Sequence, residues 1–216
     1  MKKKIGFMGG TFDPVHNGHI RVAIEVKEQM DLEWVEFIPA PNPPHKLTQK
    51  ILDFKRRVYF LEKSIQGCEF LKINTLEAKR EGPSYTFFTL KELSKVYPDC
   101  ERFFIIGCDE VTHLNKWYRW NDLINLANFI VVGREGYSVG KLQGFLERNF
   151  SVAQKKGDFL WDIGKNNIYY LEIPHLDISS SRIKRKILEK KSIKGLVADC
   201  IIQEVITDYL NFFKKE

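Results

Sequence analysis

One short stretch, Gly9-Gly10-Thr11-Phe12-Asp13-Pro14-Val15-His16-Asn17-Gly18-His19, narrows the folds open to this chain more than any other. Before it runs Ile5-Gly6-Phe7-Met8, an apolar segment of strand length. After it, Val22, Ala23, Val26 and Met30 recur at helical spacing. A buried strand, a glycine turn and an amphipathic helix in succession make a strand-to-helix crossing, the place where α/β sheets bind phosphates. Gly9 and Gly10 let the backbone turn tightly and approach a ligand. The helix behind them is expected to offer unpaired N–H groups and the positive end of its dipole to an anion. His16 and His19 lie three residues apart, so both rings share one face at the helix mouth, and Gly18 leaves the approach clear. Two imidazoles so placed donate to phosphate oxygens and stabilise charge that builds at phosphorus. Such transfer rests on positioning and electrostatics and requires no protein nucleophile.

The same alternation continues along the chain. Residues 34–40 read as a second strand, which runs into Pro41-Asn42-Pro43-Pro44-His45-Lys46. Three prolines make this a stiff loop at a strand end. In a parallel sheet it brings His45 and Lys46 to the edge that carries the Gly9 loop. Residues 52–65 form an amphipathic helix with Phe54, Val58, Leu61 and Ile65 on one stripe. Residues 70–74 are a third strand. A turn at Glu81-Gly82-Pro83-Ser84 leads into a helix that reaches about Val96, with Ser84 as its N-cap and Tyr85 and Thr86 at its mouth. Residues 102–107 are a buried strand that ends in Gly107, and Cys108-Asp109-Glu110 follow. A glycine and then a carboxylate at this edge suit a ribose hydroxyl or a cationic group. After Trp117 and Tyr118, residues 121–127 read as a helix, and residues 128–134 as a strand whose Arg134 suits a carboxylate or phosphate. Residues 138–167 are weakly patterned and read as a variable surface insertion. Residues 167–173 form a late strand. Ser179-Ser180-Ser181 then open a basic helix to about Lys191, a second anion cradle. Residues 197–213 form an amphipathic terminal helix with Ile201, Val205 and Tyr209 on one side.

This pattern predicts an α/β fold: a Rossmann-like, doubly wound parallel sheet in a single domain over residues 1–216, with a small helical region at about 178–216. Walker and GxGxxG motifs are absent, which speaks against ordinary dinucleotide-dependent redox chemistry. The four cysteines form no CxxC pair and imply neither a zinc site nor a disulfide framework, so a cytoplasmic, reduced protein is expected. No apolar run reaches the roughly 18 residues of a membrane span, and the basic N-terminus runs straight into the first strand without a signal-peptide core. The net charge of +6 is dispersed, and an anionic small molecule accounts for it as well as nucleic acid does.

The residues from Gly9 to His19 resemble the GG-T-F-D-P-x-H-x-G-H signature of the HxGH nucleotidyltransferase superfamily, and within it the bacterial nicotinate-mononucleotide adenylyltransferases. Further segments resemble this family in order: Pro43-Pro44-His45-Lys46, Pro83-Ser84-Tyr85-Thr86, Gly107-Cys108-Asp109, Leu114-Asn115-Lys116-Trp117, Arg134 with Gly136 and Tyr137, and residues 178–184. In the last, Ser181 stands for the family's Thr and Lys184 for its Arg, which keeps charge and loses the bidentate fork. The resemblance implies adenylyl transfer from ATP to nicotinate mononucleotide, giving nicotinate adenine dinucleotide and pyrophosphate, in NAD biosynthesis. It implies His16, His19 and Lys46 as catalytic residues. It assigns Gly10, Thr11, Phe12, His16, His19, Gly107, Asp109, Ser180, Arg182 and Lys184 to ATP; the missing fork falls to Arg182 or Arg185, between which the sequence does not choose. It assigns His45, Lys46, Tyr85, Thr86, Trp117, Tyr118 and Arg134 to the mononucleotide, with Trp117 against the pyridine ring. Mg²⁺ is expected on the ATP phosphates, with no dedicated protein ligands. A homo-oligomer stays open, and neither a membrane nor nucleic acid is expected as a partner. The rivals are a sister transferase acting on nicotinamide mononucleotide or another phosphorylated small molecule, and a nucleic-acid-binding module.

Overall fold

The computed structural model describes residues 2–214 except Leu47, Thr112, 134–138, 151–153, Asp158 and His175. In chain order the elements are β1 (Lys4–Gly10), α1 (Asn17–Gln29), β2 (Trp34–Pro39), α2 (Phe54–Ser64), β3 (Leu71–Ile73), α3 (Thr86–Val96), β4 (Glu101–Gly107), α4 (Cys108–Val111), α5 (Trp120–Leu123) and β5 (Asn128–Gly133). They continue with α6 (Val139–Asn149), β6 (Gln154–Gly157), β7 (Leu160–Asp162), β8 (Asn167–Glu172), α7 (Ser180–Leu188) and α8 (Ile202–Lys214).

The strands form one sheet in the order β3-β2-β1-β4-β5-β8-β7-β6. The first six run parallel, and β7 and β6 add antiparallel at one edge. The chain winds outward from β1 in both directions, so strand order reverses between β1 and β4. A cleft opens at such a reversal, outside the carboxyl ends of the strands. The register brings those ends together: Gly10 pairs with Pro39, Gly107 with Val132 and Gly133 with Glu172.

The central strands are buried on both faces, as parallel strands covered by helices must be, and therefore read as continuous apolar runs. Period-two alternation divides them between two cores. Phe104, Ile106, Phe129 and Val131 face one, with Leu90 and Leu93 of α3. Phe103, Ile105, Ile130 and Val132 face the other, with Val26 of α1, Phe60 and Leu61 of α2, Ile183 of α7 and Val205 and Tyr209 of α8. Burial of an aliphatic side chain such as Val205 contributes about 1.5–3 kcal/mol. Arg56 adds ion pairs from α2 to Glu204 and Asp208 of α8.

Several sequence expectations need correction. The sheet is not parallel throughout, because β6 and β7 form an antiparallel hairpin against β8. Residues 138–167 are more than a surface insertion: Leu142, Phe145, Leu146, Phe150 and Trp161 are buried in the first core. Gly140 and Gly144 dilute the helical pattern of α6, which obscured it in the sequence. The helix expected over residues 121–127 is the single turn α5. The buried face of α2 carries Phe60, Leu61 and the guanidinium of Arg57, which is only 1% exposed, so a charge sits where the sequence suggested aliphatic packing. The cap of α3 is Tyr85, not Ser84. Among the described residues no helix is long and apolar enough to cross a membrane.

Candidate active site

A cavity of about 500 Å³ lies at the strand-order reversal, over the carboxyl ends of β1, β2, β4 and β5. From the first signature it takes Gly10, Thr11, His16, Gly18 and His19. His16 is the N-cap of α1, with extended backbone at φ −147° and ψ 165°. Its backbone N–H donates to His19 Nδ1 at 3.2 Å, and the two rings stack with centroids 3.6 Å apart and planes 22° from parallel. Gly18 makes this possible, since a Cβ there would sit 3.0 Å from His16 Nδ1. Phe12, at φ 50°, turns inward and packs edge-on against His19 and Phe37. It is 2% exposed and supports the His19 ring from behind instead of lining the cavity.

The mouth of α1 is less open than the sequence implied. The Asn17 N–H donates to the Leu196 carbonyl at 2.9 Å, and the Asn17 side chain donates to the Gly195 carbonyl at 2.9 Å. The turn between α7 and α8 therefore occupies part of the helix terminus.

Burial, followed by the nearby His16 and Lys46, holds the His19 imidazole well below its ordinary value of 6.5. The ring is therefore neutral at pH 7. Because Nδ1 accepts the His16 N–H, the proton sits on Nε2 and gives a neutral donor. The sign of the stability linkage follows. The folded-state value lies below the unfolded one, so the contribution is complete above about pH 6.5 and is lost as pH falls through the folded value. Thermal unfolding of the wild type is expected to weaken more steeply from pH 7 to 5 than that of His19→Gln. Equal slopes would mean that His19 titrates as it does in water.

A 3₁₀ turn over Pro44–Lys46 brings His45 and Lys46 to the cavity. Burial, Lys184 and Arg57 press the Lys46 ammonium below its usual range, while Asp13 and Glu110 oppose the shift. Asn42 fastens this loop to the segment before α3. The Ser84 N–H donates to the Asn42 carbonyl at 2.9 Å, and the Asn42 N–H donates to Ser84 Oγ at 3.3 Å. Ser84, Thr86 and Thr89 line this side with Glu77, whose Oε1 accepts the Thr89 hydroxyl. Burial raises the Glu77 carboxyl despite that bond.

Trp117 lines the cavity and meets Phe104 edge-on at 6.5 Å. Its Nε1 is buried without a hydrogen-bond partner among the described residues. Tyr85 and Tyr118 are not brought into the wall. They stack on each other at 4.8 Å, Tyr118 also stacks on Phe88, and Tyr118 stays 45% exposed. Gly107 lines the floor, and among the described residues no atom other than its chain neighbours lies within 4 Å of a Cβ placed there, so the missing side chain leaves open space. Beyond it Asp109 and Glu110 are both exposed, and of the two Glu110 borders the cavity. The short helix α4 sets which of the adjacent carboxylates reaches the cavity edge, and no sequence signal distinguishes them.

From α7, Ser180 reaches the cavity and its hydroxyl donates to the Pro14 carbonyl at 2.9 Å. Arg182 points elsewhere. It pairs with Asp177 and, with Arg185, borders a separate shallow depression. Lys184 pairs with the buried carboxylate of Asp13 and does not line the cavity. Arg134 lies outside the described residues. The sequence reading missed Asp13, Arg57, Glu77 and Glu110. For Asp13 and Arg57 the only available signal was a charge amid residues otherwise read as buried.

The cytidylyltransferase-like family model matches residues 7–186. A probable nicotinate-nucleotide adenylyltransferase of Clostridium novyi (strain NT) is 38% identical over 208 residues, covering 95% of this chain and 98% of the relative. The nicotinate-nucleotide adenylyltransferase of Bacillus subtilis (strain 168) is 37% identical over 197 residues, covering 91% and 92%. Among solved structures, the Plasmodium falciparum nicotinic acid mononucleotide adenylyltransferase complexed with NaAD superposes with a TM-score of 0.77 at 19% identity. That match covers 99% of this chain and all of the other, a likeness of fold.

Proposed function

Since this chain belongs to the nicotinate-nucleotide adenylyltransferases of the cytidylyltransferase-like family, we propose that it transfers the adenylyl group of ATP to nicotinate mononucleotide in NAD biosynthesis. The observation that carries this reading is the stacked His16–His19 pair, set at the strand-order reversal in one cavity with Lys46 and Trp117. A phosphate oxygen of the mononucleotide attacks the α-phosphorus of ATP. The bond from that phosphorus to the bridging oxygen of the β-phosphate breaks, and pyrophosphate leaves with the electron pair. The protein's part is to position the reactants and stabilise charge. The neutral Nε2–H of His19 donates to phosphate oxygen where charge grows, and His16, stacked on it, faces the same phosphates. Lys46 supplies a positive charge from the opposite loop. Mg²⁺ enters as part of the ATP substrate, with most of its ligands from phosphate oxygens and water. Gly107 leaves space for the adenylate side, with Ser180 near the phosphates. Trp117 offers an aromatic face to the pyridine, and Thr86 lies on that same side. The spacing of the four cysteines gives no CxxC pair and no disulfide framework, which supports a reducing, cytoplasmic setting.

The test is pyrophosphate release with ATP and Mg²⁺, comparing nicotinate mononucleotide with nicotinamide mononucleotide. Preference for the acid by at least about tenfold in kcat/KM, roughly 1.4 kcal/mol, is the expected result. Equal use would make the enzyme dual in specificity. Release with neither would overturn the substrate, and phosphopantetheine would be tried next.

A further inference from the structure

Arg57 is the most deeply buried cation of the molecule among the described residues, and the chemistry above makes no use of it. Its guanidinium lies behind the cavity wall, not in it. Nε donates to the Leu52 carbonyl at 2.9 Å, and Nη1 donates to the carbonyls of Thr11 and Ala40. Thr11 begins the loop that leads to His16 and His19. Ala40 follows β2 and begins the loop that leads to His45 and Lys46. Leu52 precedes α2, and its N–H donates to Asp13 Oδ1 at 3.1 Å, so the Leu52 backbone joins Arg57 to the first loop a second time.

We propose that Arg57 is a positioning residue for nucleotidyl transfer: its planar fork fixes the distance between the two loops that grip the phosphates. The inference rests on the functional reading above. A trans peptide is planar, with its N–H directed opposite to its C=O. The grip on the Thr11 carbonyl therefore turns the Phe12 N–H away from Arg57. The same bond sets the path of the chain into His16. The bond to Ala40 holds the second loop to the same guanidinium, beside the direct link from the Ala40 N–H to the Gly10 carbonyl at 2.9 Å. A guanidinium presents several donors in a fixed plane, whereas an ammonium is one compact centre on a flexible stem and cannot span three carbonyls in this way. Burial lowers the affinity of Arg57 for its proton, with Asp13, Tyr209 and Asp53 opposing the shift. Three charge-assisted bonds to carbonyls satisfy the group where it stands.

The test compares Arg57→Lys with Arg56→Lys. Arg56 is the neighbouring residue, and its ion pairs reach Glu204 and Asp208 on α8, away from the cavity. Displacement of reacting groups by about 1 Å can cost about 100-fold in rate. Arg57→Lys is therefore expected to lose about 100-fold in kcat while KM for ATP stays within about threefold. Both are measured well below the variant's melting temperature. Arg56→Lys is expected to lower Tm and keep kcat. Turnover within about threefold of wild type in Arg57→Lys would overturn the proposal, as would an equal kcat loss in Arg56→Lys. A wild-type protein that releases no pyrophosphate would defeat the functional reading separately. Arg57 would then be judged by the Phe12 amide resonance in ¹H–¹⁵N spectra. Displacement of that resonance in Arg57→Lys, with Arg56→Lys leaving it in place, is expected. An undisplaced Phe12 resonance in Arg57→Lys would overturn the proposal.

Discussion

Replacing His19 with alanine is expected to lower kcat/KM by about 10²–10³-fold, the range observed when one preorganised donor to a developing oxyanion is removed. His19 offers a neutral Nε2–H at the cavity wall, with its proton placed by the bond that Nδ1 accepts from the His16 backbone. The effect on stability is expected to be much smaller, about 1 kcal/mol. What is lost is one cap-like hydrogen bond at the first turn of α1 and the ring contacts with His16 and Phe12. Steady-state pyrophosphate release and urea unfolding, run on the same preparation, separate the two quantities. Near-native turnover in His19→Ala would remove the imidazole from the chemistry. A kcat loss that tracks unfolding would reduce His19 to a capping residue.

Asp13→Ala carries the largest expected effect on stability, about 3–5 kcal/mol, because it leaves a partly buried cation without its counter-charge. The Asp13 carboxylate is 1% exposed. It accepts the Leu52 N–H at 3.1 Å and the Tyr209 hydroxyl at 2.6 Å, and it pairs with the Lys184 ammonium. One side chain of the signature loop thus ties together the entry to α2, helix α7 and helix α8. Deleting it leaves three donors without an acceptor. A domain of ordinary stability has about 5–15 kcal/mol in total, so this variant would be marginal. Urea unfolding at pH 7 with an unchanged m-value checks the figure. The double variant Asp13→Ala with Lys184→Met should be less destabilised than the sum of the two single variants, since the stranded charge is gone. A loss below about 1 kcal/mol in Asp13→Ala would mean that water replaces the carboxylate without cost.

The roles of these two residues were unequally legible in the sequence. His16 and His19 stood three apart beside glycines, a pattern whose geometry is local. Asp13 stood in the same motif, but its partners lie 39, 171 and 196 residues away, and no local pattern encodes them. Lys184 shows the same limit from the other side. It occupied the position of a phosphate-binding Arg in the motif, yet in the fold it meets Asp13. In the sequence Tyr85 and Tyr118 adjoin Thr86 and Trp117, which places them with the mononucleotide. Their rings prefer each other, and stacking turns them out of the wall.

By itself the sequence determined the alternation of buried strands and helices, the strand-to-helix crossing at Gly9 to His19, and the strand ends at which polar residues collect. These follow from hydrophobic period, glycine freedom and the i, i+3 geometry of one helical turn, all of which act over a few residues. The tertiary structure decided which of those polar residues face the cavity. It set Glu110 and not Asp109 at the cavity edge, buried Arg57 behind two loops, sealed part of the α1 terminus with Leu196, and used Lys184 as a counter-charge. At the end of a strand the backbone leaves regular geometry. There a side chain takes the direction that satisfies burial and hydrogen bonding against whatever distant segment packs beside it.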